Sequence, residues 1–110
     1  MLPKAQRLRT RKEFEAVYAS GNTVHSRFFK VSTLKSASTT TQFGVVVSNA
    51  VLKNATDRNR KKRQIRSILA KIQPKRGFQV VISLKHQGKS AEFSELSQDL
   101  NIALKKASLI

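Results

Sequence analysis

Residues 57–72 read as one helix with two dissimilar halves, and this limits the possible folds more than any other feature of the chain. Six of the nine residues from Arg58 to Arg66 are Lys or Arg. At about 100° per residue, Ile68, Leu69 and Ile72 fall within about 60° of Ile65 and form one apolar stripe. Toward the N-terminus the same stripe is continued by Arg58, Lys61 and Lys62. Burying those three cations would cost several kcal/mol each. The C-terminal half is therefore expected on a core, with the first two turns projecting past it. Arg60, Arg63 and Lys71 fall on the outer face. A helix end that is cationic nearly all round suits a polyanion.

The whole chain has the same bias, with 22 Lys and Arg against 6 Asp and Glu, a net charge of +16. Residues 90–110 hold Lys105 and Lys106 against Glu92, Glu95 and Asp99, a net of −1, so residues 1–89 carry +17. Such charge repels itself until a partner neutralises it. Nucleic acid is the leading partner, because each neutralised phosphate releases counterions. An anionic membrane surface comes second, and the basic helix lacks the wide apolar face that a membrane-lying helix needs. At 110 residues, the chain is expected to form a single domain over 1–110 with one core. There is no cysteine, which excludes disulfides, thiolate metal sites and a Cys nucleophile together. No apolar run approaches the roughly 18 residues of a membrane span. No apolar stretch follows the basic N-terminus, so a secretory signal is not expected. The expected location is the cytoplasm.

Residues 1–9 are short, basic and expected to be extended. Thr10 and Glu13 have the spacing of a capping box. They open a helix over 11–20 with Phe14, Val17 and Tyr18 on one face, and Gly21 stops it. Residues 23–34 read as one strand, 36–42 as a loop and 43–48 as a strand covered on both faces. A connection over 49–56 leads to the basic helix, which Pro74 ends. Residues 78–84 read as a third strong strand. Ser90 is placed to cap a last helix over 91–107, whose apolar stripe runs through Phe93, Leu96, Leu100, Ala103, Leu104 and Ala107. The order is α-β-β-α-β-α, which fits an α+β sandwich of one small sheet with helices. Strands 43–48 and 78–84 flank a helix, and the default is a parallel pair with a right-handed crossover.

Catalytic equipment is sparse. His25 and His86 are far apart in sequence, and no motif pairs them as metal ligands. Glu92, Glu95 and Asp99 read as a solvated helix face. The glycines form no phosphate-cradling loop. A self-sufficient nuclease needs metal-binding carboxylates or a His acid–base pair, and neither is evident. Neither a catalytic residue nor a metal site is assigned. A second candidate surface is aromatic. Phe14 and Tyr18 share a helix face, and alternation along 23–34 places Phe28, Lys30 and Ser32 on one side. Together they would make a groove with stacking platforms and a cation, as single-stranded nucleic acid requires. The alternative is that Phe14, Tyr18 and Phe28 are core, as most aromatics are.

The pattern resembles the protein subunit of bacterial ribonuclease P over nearly the whole chain. The resemblance is carried by Leu2-Pro3-Lys4 with Arg7-Leu8-Arg9, by Phe14 with Val17-Tyr18 and Gly21, and by Arg27-Phe28-Phe29. It continues through Gly44-Val45-Val46-Val47-Ser48 and then Arg58-Asn59-Arg60-x-Lys62-Arg63-x-x-Arg66, the family's signature. Phe93, Glu95 and Leu96 suit its last helix. Asn59 within the cationic run is the specific element. The resemblance implies a small α/β sandwich: a four-stranded mixed sheet, three or four helices and a left-handed crossover into the signature helix. It implies a protein without catalytic residues or cofactor of its own, serving an endonuclease whose catalyst is a large RNA with bound Mg²⁺. Its partners would be that RNA and precursor tRNA, with no membrane and no obligate protein partner. Arg58, Asn59, Arg60, Lys62, Arg63 and Arg66 inherit contact with the RNA. Phe14, Tyr18, Phe28 and Lys30 inherit the cleft for the single-stranded 5′ leader. Asn49 and Ala50 stand where the family commonly has a Lys pair, and Ser32 stands where it often has an aromatic. Two other functions compete: a basic ribosomal or other RNA-binding protein with no processing role, and a stand-alone nuclease.

Overall fold

The computed structural model describes residues 6–8, 10–20, 22–37 and 39–110. Leu2, Pro3, Lys4, Arg9 and the Gly21 helix stop lie outside the described residues. The elements in chain order are α1 (Arg11–Ser20), β1 (Asn22–His25), β2 (Phe29–Lys35), β3 (Gln42–Val46), α2 (Ala55–Ala70), β4 (Phe78–Leu84) and α3 (Phe93–Lys106), with a 3₁₀ turn at His86–Gly88.

The capping box forms as the sequence predicts. Thr10 N–H donates to Glu13 Oε1 (3.0 Å) and Glu13 N–H donates to Thr10 Oγ1 (3.2 Å). α2 starts two residues earlier than expected, because Asn54 is its N-cap and accepts from Thr56 N–H at 2.8 Å. α3 starts later than expected. Glu92, not Ser90, caps it, in a reciprocal box with Glu95.

The strands form one sheet in the order β1-β2-β4-β3. β1 and β2 form an antiparallel hairpin, where the sequence had read one continuous strand over 23–34. The break at Ser26–Phe28 has a distant cause. Asp99 on α3 is buried, and its Oδ2 accepts from Ser26 Oγ (2.6 Å) and from Phe28 N–H (2.8 Å). The acidic side chain read as part of a solvated face is thus the acceptor that turns the chain.

β2 pairs antiparallel with β4 from Phe29↔Leu84 to Lys35↔Phe78, and β3 pairs parallel with β4 from Gln42↔Gln79 to Val46↔Ser83. Alternation gives the sheet two faces. Phe29, Val31, Phe43, Val45, Val80, Ile82 and Leu84 pack with Ile65, Ile68 and Leu69 of α2 and Leu96, Leu100, Ala103 and Leu104 of α3. Val81, with Leu34 and Val46, faces α1 and packs with Leu8, Phe14 and Val17.

One hydrogen bond fixes the hand of the β3-α2-β4 crossover. Phe43 packs on the α2 side, and its carbonyl turns to Leu8 N–H (2.9 Å), away from β4. In a strand of L-residues pointing up, a side chain toward the viewer turns its own C=O and N–H to the right. Viewed from α2, β4 therefore lies to the left of β3. The crossover is left-handed, against the default and in line with the family resemblance.

Candidate nucleic-acid interface

α2 is held at its N-terminal half by two of its own cations. Arg58 Nη1 donates to the carbonyls of Leu52 (2.9 Å) and Lys53 (2.8 Å) in the loop before the helix. Lys61 Nζ donates to the Ala91 carbonyl (2.6 Å) in the turn before α3. Partial burial holds the Lys61 ammonium below the usual lysine pKa, Arg60 pushes it the same way, and Glu95 opposes both. The first turns of α2 therefore do not stand clear of the body on this side. Arg58 and Lys61 meet the polar edges of loops rather than the apolar core, which is how their charges are accommodated.

The remaining signature side chains point elsewhere. With Ile65 again at zero, Asn59, Lys62, Arg63 and Arg66 fall within about 100° of arc on the helix flank. Asn59 and Arg63 are exposed, and Lys62 and Arg66 are half-buried. Arg60 is exposed and stands about 60° beyond Arg63. Three cations and an amide thus form one continuous strip, with Arg60 at its margin. Such a strip neutralises phosphates without desolvating them.

The aromatic residues behave unequally. Phe14 lies over β3: a Cβ at Gly44 would overlap the Phe14 ring at Cε1 and Cζ, so glycine is what lets the ring seat there. Phe14 is half-buried beside Leu8, whereas Tyr18, one turn later, is 47% exposed. Lys30 is half-buried, and its place in β2 turns it to the face that α1 covers. Ser32 on that face is buried, its Oγ 3.3 Å from Thr23 Oγ1. Asn49 and Ala50 are exposed in the turn after β3.

Phe28 corrects the sequence reading. It precedes β2 instead of alternating within it, so it does not join Lys30 and Ser32. It is 5% exposed and packs in the core with α3, with Arg27 stacked on its ring at 4.9 Å. The expected leader-cleft group Phe14, Tyr18, Phe28 and Lys30 therefore loses Phe28.

Sequence reasoning did not single out Gln64 and Lys89, which line a pocket beside α2 with Arg60 and Lys61. Helical spacing groups Gln64 with Lys61 and Arg60, but Lys89 comes from a turn that no periodicity locates.

The ribonuclease P family model matches residues 2–108. The chain belongs to that family. A ribonuclease P protein component from Pseudanabaena is 38% identical over 113 residues, covering 100% of this chain and 97% of the relative. One from Synechocystis is 36% identical over 112 residues, covering 99% and 90%. Among solved structures, the Staphylococcus aureus RNase P protein superposes with a TM-score of 0.87 at 26% identity, covering 96% of this chain and 98% of that one. The RNase P protein from Thermotoga maritima gives 0.81 at 26% identity, covering 91% and 96%. The chain is thus a protein component of ribonuclease P, the endoribonuclease ribonucleoprotein that matures the 5′ end of tRNA. It works with the ribonuclease P RNA and binds precursor tRNA.

Glu13 and Glu92 with Glu95 are engaged in helix caps, Glu15 pairs with Arg11, and Asp99 serves Ser26 and Phe28. Among the described residues no three His, Asp or Glu side chains converge, and no helix is long and apolar enough to cross a membrane.

Proposed function

We propose that residues 1–110 act as one RNA-binding domain whose α2 flank grips the catalytic RNA while the α1 side of the sheet holds the leader. The observation that carries this is the exposed cationic strip on a helix whose own Arg58 and Lys61 tie it to neighbouring loops. Asn59, Arg60, Lys62, Arg63 and Arg66 contact the RNA. Arg58 orients the helix through Nη1 and offers Nε and Nη2 to a phosphate. On the opposite face of the sheet, Tyr18 and Phe14 stack leader bases, and Lys30 meets a leader phosphate. Because α1 and α2 lie on opposite faces, the two RNAs do not compete for one surface.

The chemistry belongs to the RNA and the Mg²⁺ it binds, in the cytoplasm. The protein's contribution is positional: it fixes the leader relative to the RNA and lowers the repulsion between two polyanions. The test is reconstitution with a bacterial ribonuclease P RNA at low Mg²⁺. Cleavage of precursor tRNA at its mature 5′ end should depend on the protein, and protein alone should not cleave. Equal cleavage with and without protein, or cleavage by protein free of RNA, would refute the proposal.

A further inference from the structure

A cavity of about 270 Å³ opens on the other flank of α2, lined by Leu52, Asp57, Arg60, Lys61, Gln64 and Lys89. Its walls come from three segments, and the bonds already described fix two of them: Arg58 holds the carbonyls at 52 and 53, and Lys61 holds the one at 91. The cavity is therefore preformed rather than a gap between mobile loops. Its rim carries Arg60, Lys61 and Lys89 against Asp57, so it favours an anion.

Its floor asks for something else. Gln64 Oε1 is buried and, among the described residues, has no hydrogen-bond partner. Such acceptors are uncommon, and each calls for an explanation. A phosphate alone does not supply one, because it brings further acceptors and no donor at neutral pH. The occupant needs a negative group for the rim, a flat apolar body for Leu52 and a donor for Gln64. An unpaired nucleotide has all three. RNA recognition commonly splays out such bases and reads their edges. The cavity is smaller than the usual range for drug-sized ligands, which suits one base. Oε1 is closed off from the cavity as the side chain stands, so the base must turn the Gln64 amide to meet it; an exocyclic amine projects beyond its ring to do so, whereas the imino N–H of uracil is flanked by two carbonyls.

We propose that this pocket receives one unpaired adenine, guanine or cytosine of the catalytic RNA, its amine donating to Gln64 Oε1 and its phosphate meeting Arg60 and Lys89. The proposal rests on α2 being the RNA-binding helix. It adds a base-reading contact to a surface otherwise built for phosphates. The leader is not the source of this base, because its cleft lies across the sheet beneath α1.

The test uses Gln64→Met, which keeps length and removes the amide. An unpartnered buried oxygen contributes nothing to the free protein, so its melting temperature should hold or rise. Affinity for the catalytic RNA should fall about fivefold to tenfold, as for one lost hydrogen bond. The dependence on salt should be unchanged, because no phosphate contact is lost. Arg60→Ala is the contrasting variant, with a reduced salt slope. A second arm replaces guanosine by inosine, adenosine by purine riboside or cytidine by its analogue without the 4-amino group, at one position per molecule across the RNA. One position should weaken binding to the original protein and leave binding to Gln64→Met unaffected. Affinity for precursor tRNA alone should be the same for both proteins.

Unchanged affinity for Gln64→Met, with the Arg60→Ala effect intact, would mean the pocket holds only solvent. That would overturn this proposal while sparing the RNA-binding helix. A fall in melting temperature with no position-specific interference would make Gln64 structural and also overturn it. Loss of neither affinity nor slope in both variants would remove the helix reading itself.

Discussion

Arg58→Ala tests whether the first signature arginine holds the protein together or only holds RNA. Its Nη1 serves two carbonyls, Leu52 and Lys53. A hydrogen bond from a charged donor contributes about 1.5–3 kcal/mol. Both bonds here share one nitrogen, and the Lys53 carbonyl is exposed, so the pair contributes about 2 kcal/mol together. The substitution also removes a cation from the first turns of α2, where it opposes the helix dipole by about 0.3–1 kcal/mol. The bonds win, and a net loss of about 1–2 kcal/mol remains. At about 2.1 cal/mol/K of unfolding entropy per residue, a chain this size loses about 4 °C in Tm per kcal/mol. Arg58→Ala should therefore lower Tm by about 4–9 °C. Arg63→Ala is the control: its side chain is exposed and, among the described residues, bonds to no loop, so stability should stay within about 0.5 kcal/mol. Its salt slope for catalytic-RNA binding should fall by about 1. The assays are thermal melting followed by circular dichroism and a salt series of binding titrations. If Arg58→Ala melts with the original protein while losing RNA affinity, the guanidinium faces RNA alone and the bracing role is wrong.

Gly44→Ala should displace the Phe14 ring and cost about 1–3 kcal/mol, the usual range for overpacking; adding Phe14→Leu should recover part of the loss in a melting curve. Asp99→Ala leaves Phe28 N–H buried without its acceptor, at about 1–3 kcal/mol, while Ser26 Oγ–H keeps only the longer bond to the Phe29 carbonyl at 3.4 Å, and hydrogen exchange at the Phe28 amide should accelerate more than at the centre of β4. Tyr18→Ala should change stability by under about 1 kcal/mol because the ring is half exposed. It should weaken binding of precursor tRNA at least several-fold, as loss of about 1–3 kcal/mol of stacking does, and leave mature tRNA unaffected; equal loss for both substrates would return Tyr18 to a packing role.

Local patterns carried much of this fold into view. Thr10 and Glu13 are three residues apart, and their reciprocal bonds need nothing else from the molecule. The Ile65, Ile68 and Leu69 stripe follows from helical period alone, and those residues are buried as that period requires. The two misplaced helix starts are local, set by the Asn54 and Glu92 caps, whereas the misreading that reached the site has a partner distant in sequence. The turn at Ser26–Phe28 depends on a carboxylate 73 residues away. Without it, alternation over 23–34 places Phe28 beside Lys30, and the error passes directly into the cleft. The hand of the crossover runs against the general rule, and only resemblance to a family pointed the right way. The signature helix shows the same division at the scale of a single motif. Its charge is plain in the sequence, but the division of labour within that charge is set by carbonyls at 52, 53 and 91. A flexible cationic segment would bind polyanions with little orientation. Tying Arg58 and Lys61 to loop carbonyls gives up part of their capacity for phosphate. In return the helix is held in one attitude, and Asn59, Lys62, Arg63 and Arg66 are presented as a fixed strip for the proposed contact with RNA.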